Sequence, residues 1–314
     1  MKIVFLSRYQ NSIQRGAETF VRELSKQLSL SHEVSILVGE KADSLSEILK
    51  GDYQIVVAVN GGAQSLKASI GRLRKKYKLI ITGQAGIGRG EIFNLAVARP
   101  DLYVALTDAM FKWAKPWAWG SKVVKISNGV DIEKFTPFGK KMSLNLVSPV
   151  ILSVGALVDY KHHERSIIAV SKLNKGSLLI VGQGPKESRL QGLGDRLLKS
   201  RFKILHADYQ DLPKIYRSAD LFVLPSWSRE AFGIVYLEAM ASGLGIVAPD
   251  DPSRREIISE AGILTDVLDD NKYTEAIERA LLIDWQSKAL KQAKLFSWDK
   301  IGRKYEEEFE KLLK

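Results

Sequence analysis

The 314-residue chain contains no cysteine, which excludes disulfides, thiol nucleophiles and thiolate metal sites. It has no apolar run near the roughly 18 residues that a membrane-spanning helix needs, so a soluble or peripheral protein is expected. The apolar start Met1–Ser7 is too short for a secretory leader and is followed by Arg8 and Arg15, so it reads as a first buried strand. With no secretion signal, the expected location is the cytoplasm, at most the inner face of a membrane. Histidine is scarce (His32, His162, His163 and His206), and no acidic cluster has metal-ligand character. Asp250 and Asp251 are neighbours whose side chains diverge, so no metal and no resident cofactor are expected. Solenoid periods and low-complexity tracts are absent as well.

Negative charge is also in short supply, and unevenly so. The net charge is +11, and residues 1–140 hold 21 Lys and Arg against 12 Asp and Glu, whereas the remainder holds 26 against 24. The first part is therefore built for an anionic partner or for a plain solvated surface. Lys67, Arg72, Arg74, Lys75, Lys76 and Lys78 form its densest run, interleaved with Leu66, Ile70, Leu73 and Tyr77. At helical spacing this run either lies on an anionic bilayer or is an ordinary exposed helix. Trp113, Trp117 and Trp119, with Lys112 and Lys115, suit a membrane interface or a stacked sugar ring, with core packing as the alternative.

Short, nearly continuous apolar runs alternate with amphipathic segments along the whole chain. Strands are predicted at 3–7, 34–38, 55–59, 79–82, 102–106 and 123–126. A second series follows at 150–154, 177–181, 202–205, 221–224 and 246–248. Runs of this kind suit strands buried on both faces of parallel sheets, giving an α/β chain of two βα domains with a cleft between them. Helices are expected at 17–28, 164–173, 212–218, 234–241, 274–282 and 298–313. Pro137, Gly139, Lys140, Lys141 and Pro149 mark the linker.

The richest stretch is Ser226 to Gly243. A strand ending at Pro225 runs into the turn Ala231-Phe232-Gly233, then a helix from Ile234 to Ala241 closed by Gly243. Glu230 sits before the helix and Glu238 on its second turn, bracketing backbone N–H groups that lack intrahelical partners. One reading is an anion flanked by two hydroxyl acceptors, the chemistry of a sugar nucleotide at the carboxyl end of a strand. The other is a pair of ordinary glutamates on a solvated helix.

Glu-x7-Glu within Ser-x-x-x-Glu-Ala-Phe-Gly-Ile-Val-Tyr-Leu-Glu-Ala-Met-Ala-Ser-Gly resembles the signature of the retaining GT-B glycosyltransferases of family 4, also called group 1. Further motifs follow in that family's order across most of the chain. They are Gly16-Ala17-Glu18, Ile126-Ser127-Asn128-Gly129-Val130-Asp131 with Phe135-Thr136-Pro137, Val154-Gly155 with Lys161, Val181-Gly182-Gln183-Gly184-Pro185, and Leu212-Pro213 with Tyr216 and Ala219-Asp220. The resemblance implies a GT-B architecture of two Rossmann-like parallel-sheet domains. Residues 1–140 would form the acceptor side, 141–149 the linker and 150–297 the donor side, with a terminal helix at 298–314 packing back on the first domain. It implies transfer of a hexose from a UDP-, GDP- or ADP-sugar to a lipid-linked or glycan hydroxyl, without metal and with retained configuration. Glu230 would bind the donor sugar and stabilise charge at its anomeric carbon, and Lys161 the diphosphate. Glu238 would take the ribose diol, Phe232, Gly233 and Ile234 would hold sugar and phosphate through their amides, and Gly16 would admit a phosphate close to the backbone.

The chain departs from the family pattern in three places. Ala156 stands where an Arg is common. Pro252-Ser253-Arg254-Arg255-Glu256 replaces a glycine-rich turn, and either arginine would restore the charge unless both are surface residues. Thr82-Gly83-Gln84-Ala85-Gly86 lacks a histidine that many members carry. A catalytically silent GT-B relative that binds a sugar nucleotide is therefore one alternative. A basic nucleic-acid-binding protein is a weaker one, because no recognition module is present and no nucleic-acid partner is expected.

Overall fold

The computed structural model describes residues 1–10, 16–226 and 230–314. Arg15, and the Trp227-Ser228-Arg229 of the acidic motif, lie outside them. The chain divides into two compact units. The first takes Met1–Gly129, residues 230–233 and Trp298–Lys314, and the second takes the remaining described residues.

The first unit is built on β1 (Lys2–Ser7), β2 (Glu33–Val38), β3 (Ile55–Ala58), β4 (Lys78–Thr82), β5 (Leu102–Ala105) and β6 (Lys122–Lys125). All neighbours are parallel, in the order β2-β1-β3-β4-β5-β6. β3 and β5 are buried along their whole length, as Ile-Val-Val-Ala and Leu-Tyr-Val-Ala require of strands covered on both faces. The edge strands are more polar, and β6 exposes Lys122 and Lys125 at its two ends. Helix Gly16–Leu28 buries Phe20, Val21, Leu24 and Leu28 against this sheet. Helix Trp298–Leu313 joins it within the same unit, with the rings of Trp298 and Tyr305 packed at a tilt against Phe20, 6.2 and 5.8 Å between centroids.

The second unit holds β7 (Val150–Val154), β8 (Ser177–Val181), β9 (Phe202–Leu205), β10 (Leu221–Val223), β11 (Ile246–Pro249) and β12 (Gly262–Thr265). They are again parallel, ordered β12-β11-β10-β7-β8-β9. Asp220 pins the start of β10 to that of β7, its carboxylate accepting from Val150 N at 2.6 Å and its own amide donating to Val150 O at 2.9 Å. The segment from Val130 onward belongs to this unit. Met142 N donates to the Ser218 hydroxyl at 2.7 Å, and Arg217 Nε donates to Lys140 O at 2.9 Å, strapping the segment along helix Leu212–Tyr216.

Two expectations need correcting. The basic run 67–78 is not one helix: the helix covers Ala63–Gly71 and turns follow. Arg72 is pulled inward, donating to Asp101, Ser69 and the carbonyls of Ala98 and Arg99, and Lys78 lies 3.9 Å from the same Asp101. The last strand, β12, was not expected. Its four residues are only half-buried at the sheet edge, so they carry no continuous apolar signal.

Candidate functional site

Each sheet reverses its strand order once. In the second sheet the chain runs from β7 outward through β8 and β9, then crosses back to β10 on the other side of β7. Open α/β sheets bind ligands outside the carboxyl ends at such a point. After β7 the chain makes Gly155 and the short turn Asp159–Lys161; after β10 it leads to Glu230 and then helix Ile234–Ala241. The sheet thus places Lys161 and Glu238 on elements flanking a single switch point. In the first sheet the reversal lies between β1 and β3, and Gly16 opens the helix that follows β1. Glu230, Phe232 and Gly233 group with the first unit, whereas Lys161, Ile234 and Glu238 belong to the second.

Helix Ile234–Ala241 begins where Gly233 adopts φ +85°, a left-handed conformation that a side chain would strain. It ends in a Schellman turn, with Gly243 N on Met240 O and Leu244 N on Ala239 O, both at 3.0 Å. The helix reads Ile-Val-Tyr-Leu-Glu-Ala-Met-Ala, and Glu238, 3% exposed, is its one charge. The solvated-face reading therefore fails for Glu238. A buried carboxylate is tolerated only when hydrogen-bonded, and Tyr216 supplies a donor, its hydroxyl 2.9 Å from Glu238 Oε2. Burial pushes the Tyr216 hydroxyl well above the ordinary tyrosine range, and the adjacent Glu238 charge and hydrogen bond push the same way. Behind this pair runs an aromatic row in which Phe135 meets Tyr209 and Tyr216, Tyr216 meets Phe222, and Phe222 meets Tyr236, all at 5.7 to 6.0 Å. Phe135 of the Phe-Thr-Pro motif thus backs the tyrosine that holds Glu238. Phe232 is 2% exposed and Glu230 is partly buried.

Lys161 is partly exposed, with its stem over Gly155. Two residues on, His163 is buried with Nδ1 3.1 Å from the Ser153 hydroxyl. The surface expectation is corrected for Arg254, which is fully buried. Its guanidinium donates to Asp251 Oδ2 at 3.0 Å and to Ser226 Oγ at 2.8 Å. Asp251 also caps helix Pro252–Ile258 through the amides of Ser253 and Arg254. Arg255 does lie at the surface, on Asp250. The Asp-Pro start was the available signal, since an N-cap Asp places an arginine three positions on over its own carboxylate.

In the first unit, Gln84 and Asn128 exchange two amide hydrogen bonds of 3.0 and 3.1 Å, closing the loop after β4 onto the Asn-Gly motif after β6. Below that loop Glu91, 2% exposed, accepts from Asn94 Nδ2 and the Tyr103 hydroxyl, both at 3.0 Å, and from the Ala85 amide. Asn94 in turn accepts from Gly62 N at 2.9 Å in the loop after β3. Burial pushes the Glu91 carboxyl up to about 7, against the lowering effect of its hydrogen bonds. Nothing in the sequence singled this residue out. Among the described residues no group of His, Asp and Glu is placed to hold a metal ion, and no helix is long and apolar enough to cross a membrane.

The family model described as "Glycosyl transferases group 1" matches residues 138–294, half of the chain. A GDP-mannose-dependent monoacylated phosphatidylinositol monomannoside mannosyltransferase of Corynebacterium glutamicum is 30% identical over 171 residues, 48% of this chain and 45% of that protein. The phosphatidyl-myo-inositol mannosyltransferase of Mycobacterium tuberculosis is 26% identical over 210 residues, 65% of this chain and 55% of that protein. The chain spans about half the length of the curated relatives it matches. Among solved structures, the sucrose-phosphate synthase of Thermosynechococcus elongatus superposes with a TM-score of 0.85 at 17% identity, covering 100% of this chain and 99% of that one. Anabaena HepE, solved with UDP and glucose, superposes at 0.79 with 19% identity, covering 99% of each. These likenesses show the fold, two Rossmann-like units of the GT-B type. With Lys161 and Glu238 on elements flanking the switch point of the second sheet and the family model covering that same half, the chain belongs to the glycosyl transferases group 1.

Proposed function

We propose that the chain transfers a hexose from a nucleoside-diphosphate sugar to a hydroxyl of a lipid-linked or glycan acceptor, with retention of anomeric configuration. The observation that carries this reading is the placement of Lys161 and of the buried, tyrosine-held Glu238 on the two elements that flank one switch point. Glu238 is assigned the ribose diol, which its orientation by Tyr216 suits. Lys161 and the amides of Gly233 and Ile234 are assigned the diphosphate, stabilising the leaving group without a metal ion. Phe232 contributes its amide to the sugar, Gly16 is the first unit's candidate for close backbone approach to a phosphate, and Glu230 is assigned the donor sugar. The leaving phosphate takes the acceptor's proton on the face where the acceptor attacks. The two mannosyltransferase relatives favour mannosyl transfer to an inositol-type lipid as the narrower form. The reaction is placed at the cytoplasmic face of a membrane, as a peripheral protein.

The silent-relative reading draws on Ala156 and on the closed Gln84–Asn128 pair, where many members carry a histidine. One experiment separates the two. UDP-, GDP- and ADP-sugars are screened for thermal stabilisation, and the stabilising donor is then offered to candidate acceptors with the anomeric product read by NMR. Transfer is expected, and it is abolished by Glu230→Ala and by Lys161→Ala with the unfolding midpoint kept. Stabilisation by a donor with neither transfer nor hydrolysis supports the silent relative. No stabilisation by any sugar nucleotide removes both.

A further inference from the structure

Arg254 sits in a hydrogen-bonded relay with a fixed direction. Its guanidinium donates to Ser226 Oγ at 2.8 Å. The Tyr236 hydroxyl proton goes to Leu224 O at 3.0 Å, so the 3.2 Å contact between Ser226 Oγ and Tyr236 must carry the serine proton. Asp251, anchored by two helix amides, holds the other side of the guanidinium, and the Tyr236 ring centroid lies 5.9 Å from it. Ser226 is the last described residue before the segment that carries Glu230, and Tyr236 is the third residue of the helix that ends that segment. One buried cluster therefore grips the chain on both sides of Glu230.

Stability alone does not account for this cluster. An ion pair with a fully buried arginine returns little net stability, and apolar replacements of similar volume are often neutral or better. Nor is Arg254 placed as a phosphate ligand, because its guanidinium is fully buried and directed to Asp251 and Ser226. We propose that Arg254 is a positioning residue that anchors Ser226 and Tyr236, the described residues on the two sides of Glu230, and so sets the rate of sugar transfer more than the affinity for the nucleotide. This role rests on the transferase reading above, and it belongs to the place where the related family carries a glycine-rich turn.

The test uses the full chain with Arg254→Met, Arg254→Lys and the milder Ser226→Ala, which removes one hydroxyl and leaves the ion pair. Hydrogen–deuterium exchange in the peptides 220–226 and 234–240 is expected to rise about 10-fold or more in Arg254→Met and Ser226→Ala while the rest of the second unit keeps its protection. In the same variants kcat is expected to fall about 100-fold in Arg254→Met, the scale of a misplaced catalytic group. Affinity for UDP and GDP stays within about threefold, and Arg254→Lys recovers part of the rate. The proposal is overturned if exchange in these two peptides is unchanged, or if it rises uniformly across the unit. It is equally overturned if nucleotide affinity falls as far as kcat, or if kcat survives in Arg254→Met. Should the wild-type chain bind no sugar nucleotide, the transferase reading fails, and the exchange arm alone decides whether Arg254 anchors Ser226 and Tyr236.

Discussion

Glu238 illustrates how a carboxyl group is accommodated in an apolar helix. Burial strips the group of hydration, and the Tyr216 hydroxyl at 2.9 Å supplies a hydrogen bond in return. Replacing it by glutamine keeps an oxygen for that hydroxyl and removes the desolvation cost, so Glu238→Gln is expected to unfold within about 1 kcal/mol of the wild type. A ribose diol donates to a carboxylate about 1.5–3 kcal/mol more favourably than to nothing, so the same variant is expected to bind its sugar nucleotide some 10- to 100-fold more weakly. Urea unfolding and calorimetric titration check the two halves separately. A variant that loses stability and keeps affinity would mark Glu238 as a structural carboxylate and remove it from the donor site.

At the scale of elements, Glu91 and Asn94 join the loops after β3 and β4. The carboxyl of Glu91 is raised from 4.5 to about 7 by burial, with the bonds from Asn94, Tyr103 and Ala85 opposing. Its folded value lies above its unfolded one, so the folded state holds the proton more tightly between these pH values. The stability this group contributes is fully present below pH 4.5 and is lost as pH rises through 7. Relative to Glu91→Gln, the wild type is expected to lose about 3 kcal/mol between those limits, read from urea unfolding across the pH range. A difference that does not change with pH would refute it. This network shows what a sequence hides. Strands such as Ile55–Ala58 and Leu102–Ala105 are legible because burial on both faces leaves only apolar residues. The Ile234–Ala241 helix is legible because Gly233 and Gly243 punctuate it. The partners of its polar groups are not. Tyr216 lies 22 positions from Glu238, and Arg254 lies 28 from Ser226, so only the packing of strands and helices brings them together. The end of the basic helix at Gly71 was likewise invisible, because Asp101, 29 positions from Arg72, draws that side chain inward.

For the whole molecule, charge is distributed between the two parts rather than spread evenly, with nearly all of the +11 carried by residues 1–140. The structure sorts the basic run into two sets. Lys67, Arg72 and Lys78 engage Asp43 O or Asp101 and serve the fold. Arg74 and Lys76 are exposed and Lys75 partly so, beside Leu73 at 87% and Ile70 at 44% exposure. That combination of basic groups with exposed leucine and isoleucine, at the end of helix Ala63–Gly71 and in the turns before β4, is what an anionic bilayer surface would engage. Each basic residue near such a surface is worth about 1 kcal/mol, so Arg74, Lys75 and Lys76 changed together to Gln are expected to weaken binding to phosphatidylglycerol vesicles about 100-fold. Binding should also fall steeply with salt and be absent on phosphatidylcholine. Arg72→Gln is expected to behave differently, lowering stability while leaving vesicle affinity little changed, since its guanidinium already serves Asp101 and two carbonyls. Co-sedimentation of the wild type, the triple variant and Arg72→Gln at two salt concentrations decides the matter. Equal losses from Arg72→Gln and from the triple variant would assign vesicle binding to bulk positive charge and not to this turn, and no binding by the wild type would remove the membrane reading.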